Sequence, residues 1–181
     1  MSTMKRNRRI RVAKCAKNRL DVVGMDIGHG CSASPGGARY CLMLVDSATR
    51  HTWVYGLQRI TGLDIQDALW RFFVDAGGLP KIILCDYAPL FLGGIVCRLL
   101  HSHRIRIRSS PPNRQSQNGL VERHWAVAVQ MARAFLTEAR LPKSYWFWAV
   151  REAVIRLNML PVHPDPDDPT MVSTPLELYY G

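Results

Sequence analysis

"ARYCLMLVDSATRHTWVYGL", residues 38–57, decides the architecture. Its first half places Tyr40, Leu42 and Leu44 on one alternating face and Cys41, Met43 and Val45 on the other. Apolar side chains on both faces describe a central strand covered on both sides. "DSATR" (46–50) then reads as a turn, because Asp and Ser side chains bond their own backbone in such positions. "HTWVYGL" (51–57) follows as a second β-branched and aromatic run. Upstream, "LDVVGMDIG" (20–28) is another such run, set off by the loop "SASPGG" (32–37).

Downstream the period changes. Ile65, Ala68, Leu69, Phe72, Phe73 and Ala76 fall at helical spacing, and Gly77-Gly78-Leu79-Pro80 stops the helix. "KIILCD" (81–86) is a short buried strand, "LFLGGIVCRLLHSH" (90–103) a helix, and "RIRIR" (104–108) an alternating strand. Val121, Trp125, Ala128, Ala132, Phe135, Leu136 and Ala139 mark one face of a long helix, with a second helix at about 143–160. From Pro161 to Pro175 proline and aspartate dominate without periodicity, which reads as a surface linker before "LELYYG". The expectation is an α/β protein with a five-stranded mixed sheet and helices packed on its faces. It divides the chain into a basic flexible tail at 1–19, a core at 20–160, and a linker and C-terminal segment at 161–181.

Composition narrows the class. A chain of 181 residues, 48% apolar, can bury one core and hardly two. No apolar run approaches the roughly 18 residues of a membrane span, so no membrane partner is expected. The start lacks a hydrophobic signal core, which makes an intracellular protein the expectation, nuclear or otherwise cytoplasmic. Five cysteines form no CxxC pair, arguing for reduced thiols over a disulfide scaffold or a zinc ribbon. The formal charge is +10, yet eight cations lie in the acid-free first 19 residues, leaving about +2 on the remaining 162. Such a tail suits nucleic acid, and equally a nuclear address or a solvated arm.

Three acids stand out. Asp26 is placed at the end of the first strand, Asp86 at the end of the fourth, and Glu122 in the first turn of the long helix. Acids at strand ends and at a neighbouring helix are what a divalent-cation site acting on phosphodiesters needs, because charge builds on the attacking and leaving oxygens. The 35-residue interval between Asp86 and Glu122 carries little weight by itself, since fourteen acids produce about one such pair by chance. Plainer roles stay open: Glu122 gains about 0.3–1 kcal/mol from its helix dipole alone, and Asp26 suits a turn before Gly28. Asp46 also ends an apolar strand, but it opens "DSAT", where Asp starts turns.

"ARYCLMLVDSATRHTWVYGL", "ILCD", "PPNRQSQNGLVERHW", "LPKSYWFWAV" and "TPLELYYG" occur in that order. Together they resemble the integrase catalytic core of copia-type retrotransposons, from about Asp21 to Gly181. The resemblance implies a ribonuclease H-like fold and an Asp, Asp, Glu set, falling on Asp26, Asp86 and Glu122, that binds two Mg²⁺ or Mn²⁺ ions. It also implies 3′-end processing and strand transfer on DNA, with DNA and further copies of the chain as partners. No structural zinc is expected, because only Cys15 and "KNR" (17–19) suggest the His/Cys module that precedes such cores in relatives. The sequence departs from the family at Tyr87-Ala88, where Asn-Gly is usual, and at Arg114-Gln115-Ser116. A DNA-binding protein without catalysis and a ribonuclease H-like nuclease are the alternatives.

On this reading "PPNRQSQNG" (111–119) is a DNA-facing lip, with Arg114, Gln117, Asn118 and Arg123 reaching phosphates or base edges. A capping loop, with Asn118 as the cap, is the plainer reading. Arg104, Arg106 and Arg108 alternate along one strand, where they either line a DNA path or protect a sheet edge.

Overall fold

A computed structural model describes residues 16–86, 94–110, 119–162 and 172–181. Strands β1 (Val22–His29), β2 (Tyr40–Asp46) and β3 (Thr52–Leu57) are followed by helix α1 (Gly62–Asp75) and strand β4 (Ile82–Asp86). Helix α2 (Gly94–Ser102), strand β5 (Arg106–Ser110) and helix α3 (Gly119–Glu138) come next. A 3₁₀ turn (Lys143–Tyr145) leads into α4 (Trp146–Met159), and α5 (Pro175–Tyr180) closes the chain. The five strands lie in the order β3-β2-β1-β4-β5. β1, β2 and β3 pair antiparallel, whereas β1 with β4 and β4 with β5 are parallel, so the sheet is mixed as the sequence predicts.

Each strand splits its side chains between two layers. Val23, Met25, Leu42, Leu44, Ile83 and Cys85 pack with Ile65, Leu69 and Phe72 of α1 and with Val96 and Leu100 of α2. Met43 and Val45 face the other way, against Val121 and Ala128 of α3 and Ala153 and Val154 of α4. This explains why β2 is apolar from Cys41 to Val45: both of its faces are roofed by helices. Full burial of one such Leu or Phe contributes about 1.5–3 kcal/mol.

The second layer is pinned at its far edge by a polar contact. The buried Asn158 of α4 accepts from the Thr52 amide at 2.9 Å and donates to the Thr52 carbonyl at 2.8 Å. These bonds occupy backbone groups of the edge strand β3, which blunts that edge.

Three features differ from the sequence expectation. Asp26 lies inside β1, which continues to His29. Arg104 is not on the strand with Arg106 and Arg108; it has φ +57 and its amide bonds to the His101 carbonyl, in the turn that ends α2. The segment after the linker is a helix, opened by a capping box in which Thr174 and Glu177 satisfy each other's backbone amides. It drives Tyr179 into the core, 2% exposed, where the hydroxyl donates to the Ala76 carbonyl at 2.8 Å. Of the expected tail, residues 16–19 are described, and Arg19 donates to the Tyr179 carbonyl at 2.9 Å; residues 1–15 lie outside the described residues.

Among the described residues no helix is long and apolar enough to cross a membrane. Cys31, Cys41, Cys85 and Cys97 are free thiols.

Candidate active site

The two aspartates are brought together by register. β1 and β4 run parallel with Met25 opposite Cys85, so Asp26 and Asp86 occupy the next matched position. Neighbouring strands are about 4.8 Å apart, and side chains at matched positions leave the same face. That face is the one covered by α3, because Asp26 pairs on its other side with Met43, which packs against Val121 and Ala128. Val121 is fully buried there, and the next residue, Glu122, sits in the first turn of α3 at the rim of this layer. Asp86 and Glu122 are exposed and Asp26 is half-buried, so solvent reaches all three acids.

Electrostatics tie the three together. The Asp26 carboxyl is pushed up to about 6, first by desolvation, then by the negative charges of Asp86 and Glu122; the Ile27 amide and the Trp125 indole oppose the rise. A carboxyl that feels two others through a partly dry medium is short of positive charge. Nearby thiols do not supply metal-binding thiolates: desolvation and then the neighbouring carboxylates raise Cys85 to about 12, and Cys41 is raised in the same way.

Trp125, one helical turn beyond Glu122, packs between α3 and β1. A Cβ built on Gly28 would stand 2.6 Å from both Cζ2 and Cη2 of its ring, so the indole fills the space that glycine leaves. Its Nε1 is buried with no hydrogen-bond partner among the described residues. The indole therefore acts on Asp26 as a nearby dipole, without the geometry of a formed hydrogen bond. The apolar periodicity of the helix assigns Trp125 to the core, and nothing in that pattern signals its nearness to Asp26.

The donor chemistry fits a hard divalent cation: three carboxylates and no thiolate, one of them destabilised by the other two. Among the described residues no three His, Cys, Asp or Glu side chains already surround one point at ligand spacing. Ion binding would thus require turning of the exposed Asp86 and Glu122 side chains, which their solvent access permits.

Asp46 has a different task. It is completely buried and belongs to the alternating set of Leu42 and Leu44, on the opposite face from Asp26. Its carboxylate accepts from the Leu20 amide at 2.8 Å and from the Thr49 amide and hydroxyl, each at 2.9 Å. It fastens the β2–β3 turn to the start of β1.

The basic residues divide. Arg106 and Arg108 pair with Ile82 and Leu84, positions that alternate with the core-facing Ile83 and Cys85, so both lie on the face of Asp86. Arg123 is exposed on α3 beside Glu122. Arg114, Gln117 and Asn118 of the expected lip lie outside the described residues, as do Tyr87 and Ala88.

Comparison with known proteins follows the same lines. The family described as the integrase core domain matches residues 16–115. The Retrovirus-related Pol polyprotein from transposon RE2 of Arabidopsis thaliana is 29% identical over 155 residues, covering 78% of this chain and 10% of its own length. That from transposon TNT 1-94 of Nicotiana tabacum is 30% identical over 152 residues, covering 81% and 11%. The chain thus spans about a tenth of the length of these curated relatives. Among solved structures, the simian T-cell lymphotropic virus intasome in complex with PP2A regulatory subunit B56 gamma contains a chain that superposes with TM-score 0.75 at 18% identity, over 92% of this chain and 56% of that one. The HTLV-2 integrase catalytic core domain in complex with magnesium superposes with TM-score 0.68 at 20% identity, over 90% and 98%. The fold is ribonuclease H-like.

Proposed function

Because the chain belongs to the integrase core domain family, we propose that it is the catalytic core of a copia-type retroelement integrase, acting on DNA ends by metal-dependent 3′-end processing and strand transfer. The observation that carries this reading is the electrostatic coupling of Asp26 to both Asp86 and Glu122 across elements far apart in sequence. The magnesium bound by the HTLV-2 core domain supports a divalent cation as the missing positive charge. The intasome and the trimeric and dimeric forms among its structural neighbours support DNA and self-association as partners.

Asp26, Asp86 and Glu122 would hold two Mg²⁺ or Mn²⁺ ions. When bound, such ions lower the pKa of an attacking oxygen and stabilise the leaving one. The chain's own contribution is placement. The sheet pairs the two aspartates side by side, and the buried Val121 packs the start of α3, which carries Glu122, against the same face of the sheet. Arg106 and Arg108, on the same face, are positioned to take DNA phosphates and keep a strand in register.

The test is incubation with Mn²⁺ and a labelled oligonucleotide duplex. Asp26→Asn, Asp86→Asn and Glu122→Gln should each abolish cleavage and joining, because ligands of one site act as a unit. Undiminished activity in any of the three removes that acid from the site. A second reading, a DNA-binding protein without catalysis, is favoured by the absence of preformed ligand spacing among the described residues. It requires that Mn²⁺ leave the melting temperature unchanged, whereas a bound ion raises it by mass action.

A further inference from the structure

We propose that the cavity enclosed by the second half of α3, the start of α4 and the end of β1 takes the unpaired bases of a DNA end, with Trp146 as the stacking surface and Arg133 and Lys143 as the phosphate contacts. The proposal deepens the reading of this domain as a DNA-acting core and rests on it.

The cavity measures about 770 Å³, within the roughly 300–1,000 Å³ of small-ligand sites. Its apolar lining comes from Val129, Ala132 and Leu136 of α3 with Val150 of α4. The Trp146 indole, which also lines it, is fixed by two contacts. Its Nε1 donates to the Ser32 carbonyl at 2.8 Å, and its ring takes the space that Gly30 leaves, since a Cβ there would stand 2.1 Å from Cε2. A ring already held in this way loses little freedom when a base stacks on it. Every base offers a face to stack, so such a surface tolerates any sequence.

Charge selects an anionic occupant over a neutral apolar one. Arg133 and Lys143 border the cavity and are exposed, and among the described residues no carboxylate lines it. Neither cation is in an ion pair among the described residues. His29 completes a lining whose ionisable groups, the Cys31 thiol aside, are all basic. An apolar hollow with an aromatic ring and cations at its exposed side is the combination that binds single strands, with the bases inside and the phosphates outside.

Position favours DNA over an acidic peptide, because two elements lead from the acids to the cavity. Gly30 lies four residues beyond Asp26, just past the end of β1, or about 14 Å at 3.4 Å per residue. Val129 lies seven residues beyond Glu122 along α3, or about 10 Å at 1.5 Å per residue. Both paths end in the same cavity, so a strand leaving the acids reaches it after about three or four stacked steps of 3.4 Å. A duplex end opened over that length would place its freed bases on Trp146.

The test uses the full 181-residue chain in EDTA, which prevents cleavage, with affinity read by anisotropy across a salt series. The fluorescein-labelled duplexes are blunt, mismatched at the terminal pairs, or carry abasic sites in place of the mismatched bases. Wild type should bind the mismatched end about tenfold more tightly than the blunt one, and the abasic end should lose that advantage. Trp146→Leu should remove the preference. Arg133→Gln and Lys143→Gln should each lower the salt slope on the mismatched end by about one unit. The exposed thiol of Cys31, which also lines the cavity, supplies a reading that needs no substitution: its alkylation should slow with the mismatched duplex and not with the abasic one. Equal wild-type affinity for mismatched and blunt ends, a preference that survives in Trp146→Leu, or Cys31 alkylation indifferent to the mismatched duplex overturns the cavity assignment in favour of another occupant such as an acidic peptide, and leaves the domain's DNA reading intact. A wild-type chain that binds no DNA overturns both.

Discussion

Trp125 occupies the space over Gly28: the missing Cβ would meet its six-membered ring at 2.6 Å. Gly28 is two residues from Asp26 on the same face, and Trp125 is three residues from Glu122 on the same helix. The contact sets how closely the helix bearing the glutamate approaches the strand bearing the aspartate.

Gly28→Ala should therefore push α3 outward or unseat the ring, costing about 1–3 kcal/mol as overpacking does. Thermal denaturation of the single variant against Gly28→Ala combined with Trp125→Leu checks this. The smaller side chain should recover most of the loss. Equal destabilisation with and without the second change would show that the ring is not what the methyl group meets.

Asp26→Asn should stabilise the protein at neutral pH while removing the proposed metal-dependent cleavage and joining of DNA. The folded carboxyl titrates at about 6 against 3.8 for the free group. A raised acid contributes full stability below 3.8 and loses it as pH rises through about 6, because the folded state then resists ionisation. Asparagine carries no such penalty. At pH 7 the variant should gain about 1–2 kcal/mol, less than the full rise from 3.8 to about 6 implies, because solvent still reaches the carboxyl. The gain should shrink between pH 6 and pH 4 in urea melts. A gain that does not depend on pH would sink this account.

Tyr179→Ala should destabilise the whole fold by about 3–5 kcal/mol, the range for an aromatic removed from a core. Tyr179→Phe should cost about 1 kcal/mol, the net value of the hydroxyl's bond to the Ala76 carbonyl. Calorimetry distinguishes a cooperative loss from local fraying of α5. A single transition shifted to lower temperature is the expected result.

How far the sequence was legible depended on which force placed each residue. The strands could be read because burial on both faces leaves an unbroken apolar run, as in Cys41 to Val45. Asp26 and Asp86 could be picked out because each interrupts such a run, but their side-by-side register is a property of strand pairing that no local pattern carries. Arg104 was misplaced because the R-I-R-I-R alternation begins two residues before the ladder does. Ile105 is buried, so its side chain keeps the period even though Arg104 adopts a helix-terminating turn. The final helix was missed although Thr174-Pro175-Leu176-Glu177 contains its capping box and its N-terminal proline. A helix of six residues is too short to show a period, so only the cap could have revealed it. Trp125 was read as core, and its ring does pack there. Its proximity to Asp26 arises from the angle at which α3 crosses β1, a tertiary quantity.

The bond from Arg19 to the Tyr179 carbonyl joins the two extremities of the folded region at one corner. Leu20 and Tyr179 share the layer beneath α1, behind the sheet from Asp26. Both extremities of the described region thus leave the fold behind the sheet, on the side away from Asp26.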